Sequence, residues 1–126
     1  MGNCHCSKCR KAHGGAFATF AIVPMDHYPL LSGQELIASY TSSEQHVRHF
    51  CRVCGSSLPY QTKPGLMDVP ASLLDDDPGV RPRAHIFATS RAPWFEITDD
   101  LPQYEGWPRD SDGNPLEPIP RDKIKK

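Results

Sequence analysis

A chain of 126 residues has room for one modest hydrophobic core, which excludes a large multidomain machine. Fourteen Lys and Arg against 15 Asp and Glu, a net charge of -1, argue against a partner held by phosphate neutralisation, because nucleic-acid binders of that kind carry a clear basic excess. The longest apolar run lies near Phe20–Pro24, far short of the ~20 residues of a membrane span, and no apolar leader region follows the starting Met; a soluble, unexported protein is expected. Thirteen prolines, about twice ordinary usage, disfavour a helix-rich fold. Five cysteines cannot all pair, and all fall in tight Cys-x-Cys or Cys-x-x-Cys spacings that suit a metal better than a disulfide. A reducing compartment, the cytoplasm, is the expected location.

In chain order, residues 1–15 lack periodicity and read as a loop or knuckle rich in Cys, His, Lys and Gly. Phe17–Val23, β-branched and aromatic and closed by Pro24, predicts a buried strand. Strands are also predicted at Glu35–Tyr40, at His46–Phe50 leading into a metal-type knuckle at Cys51–Gly55, at Ser57–Gln61, at Leu66–Val69 and at Ala84–Thr89. The acidic turn Asp75–Gly79 separates the last two. The expectation is a mainly β fold, one zinc-binding domain over residues 1–108, followed by an extended, Pro-rich, charged tail over 109–126. Charge is uneven: residues 1–65 hold six Lys and Arg and three Asp and Glu (+3), the remainder eight and twelve (-4).

Cys4-His5-Cys6-Ser7-Lys8-Cys9 presents three thiols as C-x-C-x2-C. A loop this short can aim three sulfurs at one zinc ion about 2.3 Å from each, leaving the fourth tetrahedral position open as catalytic sites do. Cys51-Arg52-Val53-Cys54-Gly55 is half of a knuckle in which Gly lets backbone amides turn toward sulfur. Two assignments stay open on spacing alone: an open Cys4/Cys6/Cys9 site, or a closed structural site of Cys4, Cys6, Cys51 and Cys54 with Cys9 free. A redox dithiol at Cys51 and Cys54 is weaker, since no βαβ pattern surrounds it. His5 and His13 read as ordinary surface histidines, and Trp94 and Phe95 as pocket wall or core.

Three stretches taken together, Cys4–Gly14, His49–Ser56 and His85–Ile97, resemble the glutathione-dependent formaldehyde-activating enzyme family, S-(hydroxymethyl)glutathione synthases. The resemblance runs from about Asn3 to Trp107. It implies a β-tent of curved antiparallel sheets organised around zinc, with Cys4, Cys6 and Cys9 as catalytic zinc ligands and Cys51 and Cys54 as half of a structural zinc site. It also implies a further C-x-C upstream of the catalytic cluster, whereas this sequence begins three residues before Cys4; a shortened chain and one that manages without the second site are both open.

Formaldehyde adds to the glutathione thiol unaided, so catalysis needs only a higher thiolate concentration and proximity. Arg10, Lys11, Arg48 and Arg52 are the candidate partners of the two glutathione carboxylates, of which Arg10, Lys11 and Arg48 are taken as substrate-binding. Three functional classes follow. The first is a zinc-dependent carbon–sulfur lyase whose partners are a small, glutathione-like thiol and an aldehyde. The second is a non-catalytic, zinc-stabilised interaction or chaperone-like module of the same fold. The third, a zinc-ribbon nucleic-acid binder, is disfavoured by charge.

Overall fold

The computed structural model describes residues 1–124. It is mainly β: β1 (Gly2–Cys4), the helix α1 (Ser7–His13), β2 (Ala18–Pro24), β3 (Ile37–Ser43), β4 (His46–Cys51), β5 (Ser57–Leu58), β6 (Tyr60–Lys63), β7 (Leu66–Pro70) and β8 (His85–Ile86). No helix among the described residues is long and apolar enough to cross a membrane. The chain divides into two compact units, Met1–Thr19 together with the chain from Gly79 on, and Phe20–Pro78.

In the second unit β2 runs antiparallel to β7, Phe20 opposite Pro70 and Val23 opposite Met67, and β6 pairs antiparallel with β7. β3, β4 and β5 form an antiparallel set of their own. Phe20 shares one face of this pair with Pro70, while Met67 and Val69 share the other with Val23 and Ala21, and Phe20, Met67, Val69 and Pro70 are all buried. Phe20 meets Tyr60 edge to face at 5.8 Å. Cys51–Gly55 turns as the sequence suggests: Gly55 adopts φ +78°, donates its N–H to Cys51 O at 2.8 Å, and Cys51 N–H reaches Ser56 O at 2.9 Å.

Asp68 of β7 is buried and accepts a hydrogen bond from the Thr62 hydroxyl. Burial pushes its carboxyl above the usual range, against lowering by Thr62 and by the charges of His46 and Lys63. A carboxyl raised by folding binds its proton more tightly in the native chain. Its contribution therefore favours folding in acid and is lost as pH rises through the raised value. Asp68→Asn is expected to raise the thermal midpoint at pH 7 and to give a smaller gain at pH 3, measured by circular dichroism.

In the first unit β1 and β8 pair in parallel, Asn3 beside His85 and Cys4 beside Ile86, with Asn3 N–H on Ala84 O and His5 N–H on Ile86 O, both at 3.0 Å. The chain beyond β8 returns to it: His85 N–H donates to Pro102 O and Tyr104 N–H to His85 O, each at 2.8 Å, and Ile119 N–H donates to Gln103 O at 2.7 Å. The predicted strand Ala84–Thr89 shortens to two residues because Phe87 takes φ +54°, after which Ala88–Ser90 closes a 3-10 turn. Residues 1–15, expected to be loop throughout, instead form β1 and α1. In the C-terminal stretch Leu116 N–H bonds Pro108 O at 2.9 Å and Arg121 pairs with Asp100 at 3.2 Å. Lys125 and Lys126, the last residues of the expected tail, lie outside the described residues.

Candidate metal centre

Three different local structures bring the three N-terminal thiols together. Cys4 ends β1, where pairing to β8 fixes its backbone. Cys6 is the N-cap of α1 in extended geometry, its sulfur accepting the Cys9 N–H at 3.4 Å. Cys9 stands three residues on, in the first turn, so the helical period returns its side chain toward Cys6. Gly14 closes the helix at φ +65°, a left-handed position that suits glycine. Arg10, Lys11 and His13 occupy the last turn, favourable at the negative end of the helix dipole.

The sulfurs of Cys4, Cys6 and Cys9 all lie within 4.8 Å of one another. Cys4 and Cys9 are buried and Cys6 half-buried. Hydrogen bonds with Cys6 and Cys9, together with burial, push the Cys4 thiol up, whereas bonds from Cys4 and Cys9 hold Cys6 well below the usual thiol range. That donor set fits a soft divalent cation: three sulfurs each about 2.3 Å from a tetrahedral zinc sit roughly 3.8 Å apart, inside the observed span.

Cys51 is half-buried and Cys54 exposed. The Cys54 thiol lies 3.1 Å from the Ser56 hydroxyl, a contact that lowers its pKa. Among the described residues of their own unit, no third His, Cys, Asp or Glu joins these two in a metal-binding group.

Of the candidate substrate contacts, Arg10 is half-buried and donates from Nε to His5 O at 3.2 Å, and Lys11 is exposed. Arg48, in β4 of the second unit, is only 6% exposed. Its guanidinium lies 4.9 Å from the Tyr60 ring centroid, and Nη1 donates to the Tyr60 hydroxyl at 3.4 Å. Trp94 is exposed, while Phe95 packs on Phe17 at 5.5 Å between centroids.

The sequence reading missed a buried polar chain beside the thiols. His5, expected at the surface, is fully buried between Phe17 and Phe95 at 5.1 and 6.1 Å. Its Nε2 is 2.8 Å from His85 Nδ1, and His85 Nε2 is 3.0 Å from Asp99 Oδ2. Burial, then the neighbouring charges of His85, Arg91 and Arg10, lower the His5 pKa to about 4. Burial raises the Asp99 carboxyl, but the Leu101 N–H and His85 outweigh it, so that Asp99 sits below the usual range. His5 Nδ1 is buried without a hydrogen-bond partner, a deficit worth roughly 1–3 kcal/mol. The one available signal was His85 inside an otherwise apolar run. Residues 1–90, which include all five cysteines and both of these histidines, match the family model described as glutathione-dependent formaldehyde-activating enzyme.

Proposed function

The chain belongs to the glutathione-dependent formaldehyde-activating enzyme family, and from that premise we propose that it is a zinc-dependent carbon–sulfur lyase joining glutathione, or a related small thiol, to formaldehyde. The observation that carries the proposal is the convergence of Cys4, Cys6 and Cys9 within 4.8 Å. In the reaction the thiol sulfur bonds to the carbonyl carbon and the thiol proton ends on the oxygen, giving S-(hydroxymethyl)glutathione with no change in oxidation state. Zinc held by the three cysteines would supply the Lewis acidity that keeps a substrate thiol ionised at neutral pH.

The chain's own residues supply the rest. Cys4 and Cys9 are buried, which limits water around the thiol cluster and strengthens charge interactions there. Lys11, exposed on α1, and Arg10 on the same short helix are the groups we assign to the glutathione carboxylates. Arg48, engaged with Tyr60, we assign to packing in its own unit. Five free thiols among the described residues support a reducing, cytoplasmic setting.

Elemental analysis of the purified chain is expected to find one equivalent of zinc. Exchange NMR on an equilibrium mixture of glutathione and formaldehyde is expected to show acceleration over the spontaneous rate, abolished by a chelator. A folded chain free of metal would overturn the metal reading, and unaccelerated exchange with zinc bound would overturn the lyase reading in favour of a non-catalytic module.

A further inference from the structure

We infer that His5, His85 and Asp99 form a positioning chain for the thiol site, and that Asp99, which lies beyond the stretch matched to the family, is a positioning residue that sets the orientation of the Cys4–Cys6 segment. The inference rests on reading Cys4, Cys6 and Cys9 as the functional site.

A carboxylate can only accept hydrogen bonds, so the 3.0 and 3.1 Å contacts to Asp99 require His85 to carry its proton on Nε2. In the neutral ring that proton leaves Nδ1 a lone pair, and the 2.8 Å contact then takes its proton from His5 Nε2. The direction of every bond in the chain is thus set from the Asp99 end, as carboxylates orient histidines around metal sites. Asp99 is itself anchored, since its Oδ1 accepts the Leu101 N–H at 2.9 Å.

At the other end stands His5, covalently between Cys4 and Cys6. β1 pairs two residues with β8 and borders the start of β2, whose Thr19 hydroxyl donates to Asn3 Oδ1 at 2.8 Å, but the strand ends at Cys4, so the turn through His5 to Cys6 lies past the strand's own pairing. The side-chain chain adds a second anchor 80 residues away in sequence, and Arg10 adds a third through His5 O. The His5 ring also leaves a buried nitrogen unmet. A partly satisfied polar group is a poor choice for stability alone, which points to the Nε2 contact as the reason a histidine is there.

The test is Asp99→Asn, with Asp99→Glu as the variant that retains a carboxylate and Asp99→Ser in reserve should the Asn chain fail to fold. Long-range proton–nitrogen NMR on the full chain reads the tautomers, amide hydrogen exchange reads His5 and Cys6, and zinc release to a chelator reads the site. The native chain is expected to show both protons on Nε2. Asp99→Asn is expected to mix the His85 tautomers, to speed exchange at His5 and Cys6, and to release zinc about 10- to 100-fold faster, with Asp99→Glu moving all three back toward native. A native His85 protonated on Nδ1 would overturn the inference. So would an Asn variant whose tautomers change while His5 and Cys6 exchange at native rates. If the native chain takes up no zinc, the metal reading fails, and the tautomer and exchange measurements still decide the positioning chain.

Discussion

Cys9→Ala is expected to strip the chain of bound metal and of catalysed exchange while leaving it folded. Cys9 supplies one of three thiols, and two remaining sulfurs cannot hold an exchangeable ion as three do. The loss in zinc affinity should exceed the ~100-fold upper range seen when outer partners of a metal site are removed. Folding is affected less. The bond that caps α1 runs from the Cys9 backbone N–H to Cys6 Sγ, so it survives truncation of the Cys9 side chain, and deleting one buried sulfur costs roughly 1 kcal/mol, the centre of the range for point substitutions. Cys51→Ala is the control. The turn it enters is held by backbone bonds from Cys51 N–H and to Cys51 O, so metal content should stay at one equivalent and stability should change by less than about 1 kcal/mol. Elemental analysis with circular dichroism checks both variants. A Cys9→Ala chain that retains full zinc and full turnover would refute the three-cysteine site.

The cysteine cluster was legible because spacing alone constrains it: Cys6 and Cys9 are three residues apart, a separation that works in a tight loop or a helical turn. That the turn is α1 was not legible. Ser7–His13 has no apolar stripe, and its cap is a thiol, outside the usual Ser, Thr, Asp and Asn set. β2 could be placed from its apolar, β-branched and aromatic content and β4 from the polar–apolar alternation of His46–Phe50; in the fold β2 buries Ala18 and Phe20 with partly open residues between and after them, whereas β7 buries four residues in succession. β8 is shorter than its composition suggests, since Phe87 leaves the strand through a left-handed conformation that an aromatic residue seldom takes. His85 and Asp99 were invisible as site neighbours for a different reason. They meet His5 only through tertiary pairing across 80 residues, and single-sequence reading detects local periodicity, not such juxtapositions.

Arg48→Ala is expected to destabilise the second unit by about 2–4 kcal/mol, the size seen when a large buried side chain is truncated and its partners are left without it. The sequence offered Arg48 as a substrate-binding cation because it adds to the basic first half. In the fold its side chain is 6% exposed and its charge faces the Tyr60 ring at 4.9 Å, where a desolvated cation–π contact contributes up to about 2 kcal/mol. Tyr60 is buried in turn and meets Phe20 edge-on, so losing the guanidinium loosens a packed pair as well as a charge contact. Arg48→Met separates volume from charge: it fills most of the space, forfeits the contact with the ring, and should cost roughly half as much as Ala. Urea denaturation measures both. The same preparations report on the substrate, since a residue engaged in packing leaves the KM for glutathione unchanged in the folded fraction. A raised KM with native stability would instead make Arg48 a carboxylate contact.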